Sequence, residues 1–177
     1  MPTWWLRVQV PSLAPYFDFY IMKVSSFLSE DDILIGINES NRNGALKKLI
    51  RLLVKNKKIK PDLEKKIFNK IIAREKLGST AIGQGVAIPH IRLGALRKIR
   101  LVIGICVNKK GIDFESLDGE PVYLIFLLIS PQSQEGLHLK ILATISRFLR
   151  DKHFLEAIKS ATSSRQVLKL IERKEHE

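Results

Sequence analysis

The chain has 177 residues, 30 Lys and Arg against 18 Asp and Glu, a formal net charge of +12, and 45% hydrophobic against 27% charged residues. That is ordinary globular composition with length enough for a buried core, and it excludes a disordered or low-complexity chain. The longest unbroken apolar run, Val122 to Ile129, falls far short of the roughly 20 residues of a membrane-spanning helix. The lone Cys106 excludes an intrachain disulfide framework and any multi-cysteine metal site, with a reducing cytoplasm as the simplest compartment.

Residues 1–21 differ from the rest. They hold six of the thirteen aromatic residues and three of the seven prolines, contain no Lys, and their Arg7 cancels their Asp18. Pro11, Pro15 and Asp18 break the apolar core that a signal peptide needs. Val8-Gln9-Val10 can be encoded as GTT-CAA-GTC, matching the T-loop consensus of a transfer-RNA gene, and Ala14-Pro15 as GCA-CCA, like the end of such a gene. The segment is therefore read as a non-native or disordered N-terminal extension, with Met22 as the true start and residues 22–177 as one domain. Trp4 or Trp5 in an N-terminal sequence of the natural protein would refute this.

Ile33 to Ile37 reads as a short strand. Leu46, Leu49, Ile50 and Leu53 recur at i, i+3, i+4, i+7 and predict an amphipathic helix that starts in the polar Ser40–Gly44 region. Pro61 suits the first turn of a second helix, striped by Leu63, Ile67 and Ile71 and ending between Arg74 and Gly78. The glycines and proline from Gly78 to His90 predict a loop with short extended pieces. Ile99 to Val107 and Val122 to Ile129 are nearly continuous apolar runs, as in central strands covered on both faces. After Pro131, Leu137, Ile141, Ile145 and Phe148 mark a third helix, and Ser163 with Gln166 marks the capping box of a last one through Ile171. Helices and strands interleave, so the class is α/β, a buried sheet flanked by helices. The basic stretch from Lys47 to Lys70 has apolar residues at helical spacing, so it reads as the solvated faces of two helices rather than a nucleic-acid footprint.

Chemistry concentrates at the end of the Gly-rich segment. It is neither a Walker loop nor a dinucleotide fingerprint, but its exposed amides can surround an anion. His90 follows Pro89, which stiffens its presentation, and a neutral imidazole is a competent nucleophile near neutral pH; the plainer alternative is a structural histidine. Arg74 can bind phosphate oxygens through its planar fork, or pair with Glu75 at the surface. Ser79 can cap the loop or donate to an oxyanion. His138, at the start of the third helix, can share an anion with His90 or stand as a partly buried polar residue. Cys106, in an apolar strand, reads as core; His153 and His176 read as surface. No i, i+4 ligand pair accompanies His90 and His138, so a metal is not expected.

Arg74-Glu75-x-Leu77-Gly78-Ser79-Thr80-x-Ile82-Gly83-x-Gly85-x-Ala87-Ile88-Pro89-His90 resembles the active-site signature of the type-2 IIA proteins, the mannitol/fructose and nitrogen-regulatory IIA components of the bacterial phosphotransferase system (PTS). Asp118-Gly119-x-Pro121-Val122 with the following Leu124–Leu128 run resembles the family's next block, and His138-Leu139-x-x-Leu142-Ala143-x-Ile145-Ser146 its second histidine segment. The likeness runs in register from about Val24 to Ile171. It implies a central mixed β-sheet of about five strands with helices on both faces. It implies that His90 accepts a phosphoryl group from the carrier HPr and passes it to a cysteine of a IIB partner or holds it as a regulatory signal. Arg74 and His138 would stabilise that group, Ser79 would help build the site, and no cofactor would be needed. Ile91 stands where the family often has Gly, so the chain after His90 is expected to bend differently; Gln84 stands where Asn is frequent, with little effect expected. The alternative of a different class is a degenerate IIA-like module whose basic face binds a protein partner or nucleic acid.

Overall fold

The computed structural model describes residues 22–177; the expectations for residues 1–21 lie outside the described residues. The elements run β1 (Ile33–Ile37), α1 (Arg42–Lys55), α2 (Glu64–Glu75), β2 (Ala81–Gly83), β3 (Val86–Ala87), β4 (His90–Arg92), β5 (Arg100–Cys106), β6 (Leu124–Ser130), α3 (Glu135–Phe148), α4 (Lys152–Lys159) and α5 (Ser164–Lys174). They build one mixed sheet of six strands in the order β1-β5-β6-β3-β2, with β4 also on β6.

The expectation of about five strands and the observed six differ at one place. β3 and β4 lie end to end along β6, Val86–Ala87 beside Leu124–Ile125 and His90–Arg92 beside Leu128–Ser130. Pro89 has no N–H to give to a ladder, so one strand position is filled by two pieces. The Gly-rich segment is thus half loop and half sheet, because pairing with an apolar partner strand overrides its local turn chemistry.

β5 and β6 are the antiparallel centre of the sheet. Their side chains alternate between two cores, as period two requires. Val102, Ile125, Leu127 and Ile129 join the face covered by α1 and α2; Leu101, Ile103, Ile105, Leu124, Phe126 and Leu128 join the face covered by α3, α4 and α5. Cys106 is in the first of these cores, where burial pushes its thiol pKa up. At Gly104 an added Cβ would lie 2.5 Å from Ile37 Cδ1 and 2.9 Å from Leu49 Cδ2, so β1 and α1 sit down on the bare backbone there.

Helix starts follow their caps. Asn41 Oδ1 accepts from Gly44 N–H at 3.0 Å to begin α1. Pro61 opens a 3₁₀ turn rather than α2 itself. Ser163 Oγ accepts from Gln166 N–H, but the Gln166 side chain reaches back to Thr162 N–H, one residue beyond the expected capping box. α4 has no counterpart among the predicted elements; Asp151 caps it through His153 and Phe154 N–H, and Phe154, Leu155 and Ile158 are buried.

Candidate functional site

β4 pairs on one side with β6, and its other edge opens into a cleft of ≈730 Å³ between α2 and α3. α2 lines the cleft with Lys70, Arg74 and Leu77, β4 with His90, Ile91 and Arg92, and α3 with Glu135, His138, Leu139 and Leu142. Strand alternation sorts the β4 residues. Ile91 is 5% exposed within the α1–α2 core, while His90 and Arg92 turn toward the start of α3. The chain runs on from His90 as a strand with Ile91 packed beneath it.

His90 Nδ1 lies 2.8 Å from the carbonyl oxygen of Ile88. A carbonyl only accepts, so Nδ1 carries the proton, and the lone pair of the neutral ring resides on Nε2. Pro89 stands between the two residues of this contact and limits the backbone that makes it. The imidazole of His138 approaches to 5.6 Å between ring centroids.

His138 lies in the first turn of α3 and is 5% exposed. Its Nδ1 is 2.6 Å from the hydroxyl of fully buried Ser130, the last residue of β6. Burial lowers the pKa of His138; the neighbouring His90 and Arg92 disfavour a second positive charge and lower it further, and Glu135 opposes them. The ring is thereby biased to the neutral form. When Ser130 Oγ–H donates to Nδ1, Nε2–H of His138 is left as a donor near the helix N-terminus, where the macrodipole favours negative charge.

Arg74 lies in the last turn of α2, where its Nη1 donates to Gly78 carbonyl at 3.0 Å. It makes no ion pair with Glu75, contrary to the surface-pair alternative. Glu75 is 3% exposed and points inward, accepting from Thr80 N–H at 3.0 Å and from the Thr80 hydroxyl, with Arg42 Nη1 at 3.9 Å. That contact folds the end of α2 onto the start of β2. Ser79 works in the same turn. Its hydroxyl donates to Phe114 carbonyl at 3.1 Å, and it is not among the residues lining the cleft.

The structure brings His90, His138 and Arg74, each singled out from the sequence, to one cleft and leaves Ser79 in the adjoining loop. The sequence reading passes over Lys70, Arg92 and Glu135 as site residues. Arg92 and Glu135 form an ion pair of 2.6 Å across the cleft, between β4 and the first turn of α3. Lys70 precedes Arg74 by one helical turn, and Arg92 follows His90 by one strand period, so both are recoverable once the elements are known. Three cations and one carboxylate line the cleft around the two imidazoles, a balance that suits a multiply charged anion. Among the described residues no group of three or more His, Cys, Asp or Glu is placed to hold a metal ion, and no helix is long and apolar enough to cross a membrane.

Fold and cleft together define a mixed α/β protein that presents one histidine, its Nδ1 held by a backbone carbonyl, from a sheet strand that lines a cleft among cationic side chains. The family profile described as the phosphoenolpyruvate-dependent sugar phosphotransferase system, EIIA 2, matches residues 26–174, and the chain belongs to that family. The nitrogen regulatory protein of Bradyrhizobium diazoefficiens is 34% identical over 151 residues, which are 85% of this chain and 95% of that one. The crystal structure of nitrogen regulatory protein IIA-Ntr from Neisseria meningitidis superposes with a TM-score of 0.75 at 27% identity, over 84% of this chain and 98% of that one. The Escherichia coli complex of enzyme IIA mannitol with phosphorylated enzyme IIB mannitol shares the fold, with a TM-score of 0.67 at 21% identity over 82% of this chain and 97% of the matched one.

Proposed function

We propose that this protein is a cytoplasmic phosphoryl carrier in which His90 Nε2 accepts a phosphoryl group from the phosphohistidine of HPr. The observation that carries the reading is the Nδ1–Ile88 contact of 2.8 Å, which leaves Nε2 as the nucleophilic nitrogen. In the transfer, the donor's N–P bond breaks and its electron pair stays on the donor imidazole, while His90 Nε2 forms the new N–P bond. The ring keeps its Nδ1 proton, and the Ile88 carbonyl steadies the charge that the ring gains. Such a transfer asks mainly for alignment and for donors around the equatorial oxygens. Arg74, Lys70 and the α3 N-terminus with neutral His138 are suitably placed, and Ser79 acts by holding the loop that precedes the strand.

Onward transfer goes to a cysteine of a IIB partner, or the phosphoryl state is itself the signal. The signalling form is favoured by the names of the relatives, since the Bradyrhizobium and Neisseria proteins are both nitrogen regulatory proteins matched over nearly their whole lengths. The test is intact mass after incubation with phosphoenolpyruvate, Enzyme I and HPr, beside a His90→Ala control. One added phosphoryl group, acid-labile and missing from the control, is expected. No uptake from a cognate HPr refutes the reading and leaves the degenerate binding module.

A further inference from the structure

Ser130 is fully buried and does not line the cleft, yet it is tied to the elements of both histidines. It ends β6 in register with Arg92, and its carbonyl accepts from Leu93 N–H at 2.8 Å, so its backbone closes the ladder to the strand that begins at His90. Its hydroxyl lies 2.6 Å from Nδ1 of His138 in the first turn of α3. One residue therefore joins the helix to the strand, and the two rings meet at 5.6 Å between centroids, tilted by 56°. The direction of the Ser130–His138 hydrogen bond follows from its protons. Among the described residues the hydroxyl has no other partner. If the ring donated, the O–H of Ser130 would be buried without an acceptor, at the full desolvation cost of an unmade bond. If the hydroxyl donates, Nδ1 accepts and the ring proton sits on Nε2. A cationic ring has no lone pair to accept with, and burial, His90 and Arg92 disfavour that form, against the opposing pull of Glu135. Nδ1 faces the buried serine while the ring lines the cleft, so Nε2–H is the edge left for the cleft. The two imidazoles are thus set in opposite tautomers, His90 with its proton on Nδ1 and His138 with its proton on Nε2.

We infer that Ser130 is a positioning residue for phosphoryl transfer: its hydroxyl holds His138 as an Nε2–H donor to the oxygens of the group on its way to His90. The inference rests on the reading of His90 as a phosphoryl acceptor and adds the residue that prepares its neighbour. No proton moves in this role. The bond change occurs at His90 Nε2, and His138 keeps its proton throughout. In the other tautomer His138 would turn a lone pair toward anionic oxygens, which repels where an N–H donor binds. A serine that only filled the end of β6 would affect stability and leave the His138 proton where it is.

The test joins proton–nitrogen correlation spectra of the histidine rings, which read the tautomer, to quench-flow transfer from the cognate phospho-HPr. In wild type, His138 should show the Nε2–H tautomer, its signals assigned by their loss in His138→Ala. In Ser130→Ala the ring should become a mixture of tautomers, because Nδ1 has lost its fixed donor. Transfer should then fall about three- to tenfold, the worth of one net hydrogen bond. In a His138→Ala background, Ser130→Ala should change the residual rate by less than about twofold, since the serine acts only through that ring. An Ile158→Val control removes a buried methyl group from α4, away from the cleft. It tests for general destabilisation and should leave tautomer and rate as in wild type. The wild-type spectrum needs no variant to fold, and finding the Nδ1–H tautomer there overturns the inference. So does a Ser130→Ala rate within about twofold of wild type, or an equal loss in the His138→Ala background. Labelling by phosphoramidate separates the two levels. If neither phosphoramidate nor phospho-HPr labels wild-type His90, the phosphocarrier reading itself fails and the positioning role falls with it; normal labelling with any of the overturning results above sinks the role of Ser130 alone.

Discussion

Glu75 is the residue on which the site's geometry should depend most without touching the cleft. Glu75→Ala removes the acceptor of two Thr80 donors, the N–H at 3.0 Å and the hydroxyl, in a place where Thr80 is 5% and Glu75 3% exposed. It also takes away one of the two carboxylates near Arg42, whose side chain is 11% exposed. The other, Glu115, lies at 3.0 Å but is 71% exposed, and Arg42 Nε has no partner. Hydrogen bonds to a charged group contribute about 1.5–3 kcal/mol each, and removing one partner of a buried ion pair costs about 3–5 kcal/mol. The two overlap here, because the same carboxylate serves both, so the expected loss is about 3–5 kcal/mol in total. At about 2–4 °C per kcal/mol for a domain of this size, Tm should fall by roughly 10 °C. Glu75→Gln, which keeps an acceptor for Thr80, should lose about 1–2 kcal/mol. Urea unfolding followed by circular dichroism reads both. A loss below about 1 kcal/mol in the alanine variant would mean that water replaces the carboxylate, and would refute the claim that this contact fixes the turn presenting Arg74.

Three further outcomes are expected. The pKa of His138 is lowered in the folded state, so below its ordinary 6.5 the unfolded chain binds more protons; stability should fall as pH drops from 6.5 toward the folded value and then level off. His138→Gln should flatten that slope between neutral and mildly acid urea titrations, and an unchanged slope would assign it to other groups. Gln84 sits at φ +55° in the β2–β3 turn, flanked by Gly83 at +89° and Gly85 at +72°, so the difference from Asn there is one of backbone and not only of amides. Gln84→Asn should stabilise by about 0.5–1 kcal/mol in urea unfolding, because Asn enters the left-handed region at lower cost. Glu135 is the one carboxylate lining the cleft and holds Arg92 at 2.6 Å. Glu135→Gln should shift the phosphoryl equilibrium with HPr toward this protein by roughly two- to fivefold, read by intact mass, since an exposed charge contact is worth up to about 1 kcal/mol; a shift the other way would give Glu135 a supporting role.

What the sequence made legible, and what it hid, follows from the range of the interactions. Leu46, Leu49, Ile50 and Leu53 announce α1 because burial of one helix face is written at a local period, and β5 and β6 announce themselves because both faces are covered. α4 carried its own signal, an Asp cap and buried Phe154, Leu155 and Ile158, but its eight residues lie directly between two longer helices. The split strand at Pro89 was hidden because its assignment is made by β6, far along the chain. The same non-local pairing builds the site. Register sets Arg92 opposite Ser130, and Ser130 holds His138, so the second histidine reaches the first through the sheet and not through any spacing of its own. The charge behaves likewise. Within the basic stretch, Lys48, Arg51 and Lys58 are held by Glu39, Glu64 and Asp32, whereas Lys47, Lys55, Lys57, Lys60, Lys65, Lys66 and Lys70 have no ion-pair partner among the described residues. Read as composition, the stretch is a solvated surface, and the ion pairs alone do not divide it. What sets Lys70 apart is its place one turn before Arg74 on α2, which brings it to the cleft at His90.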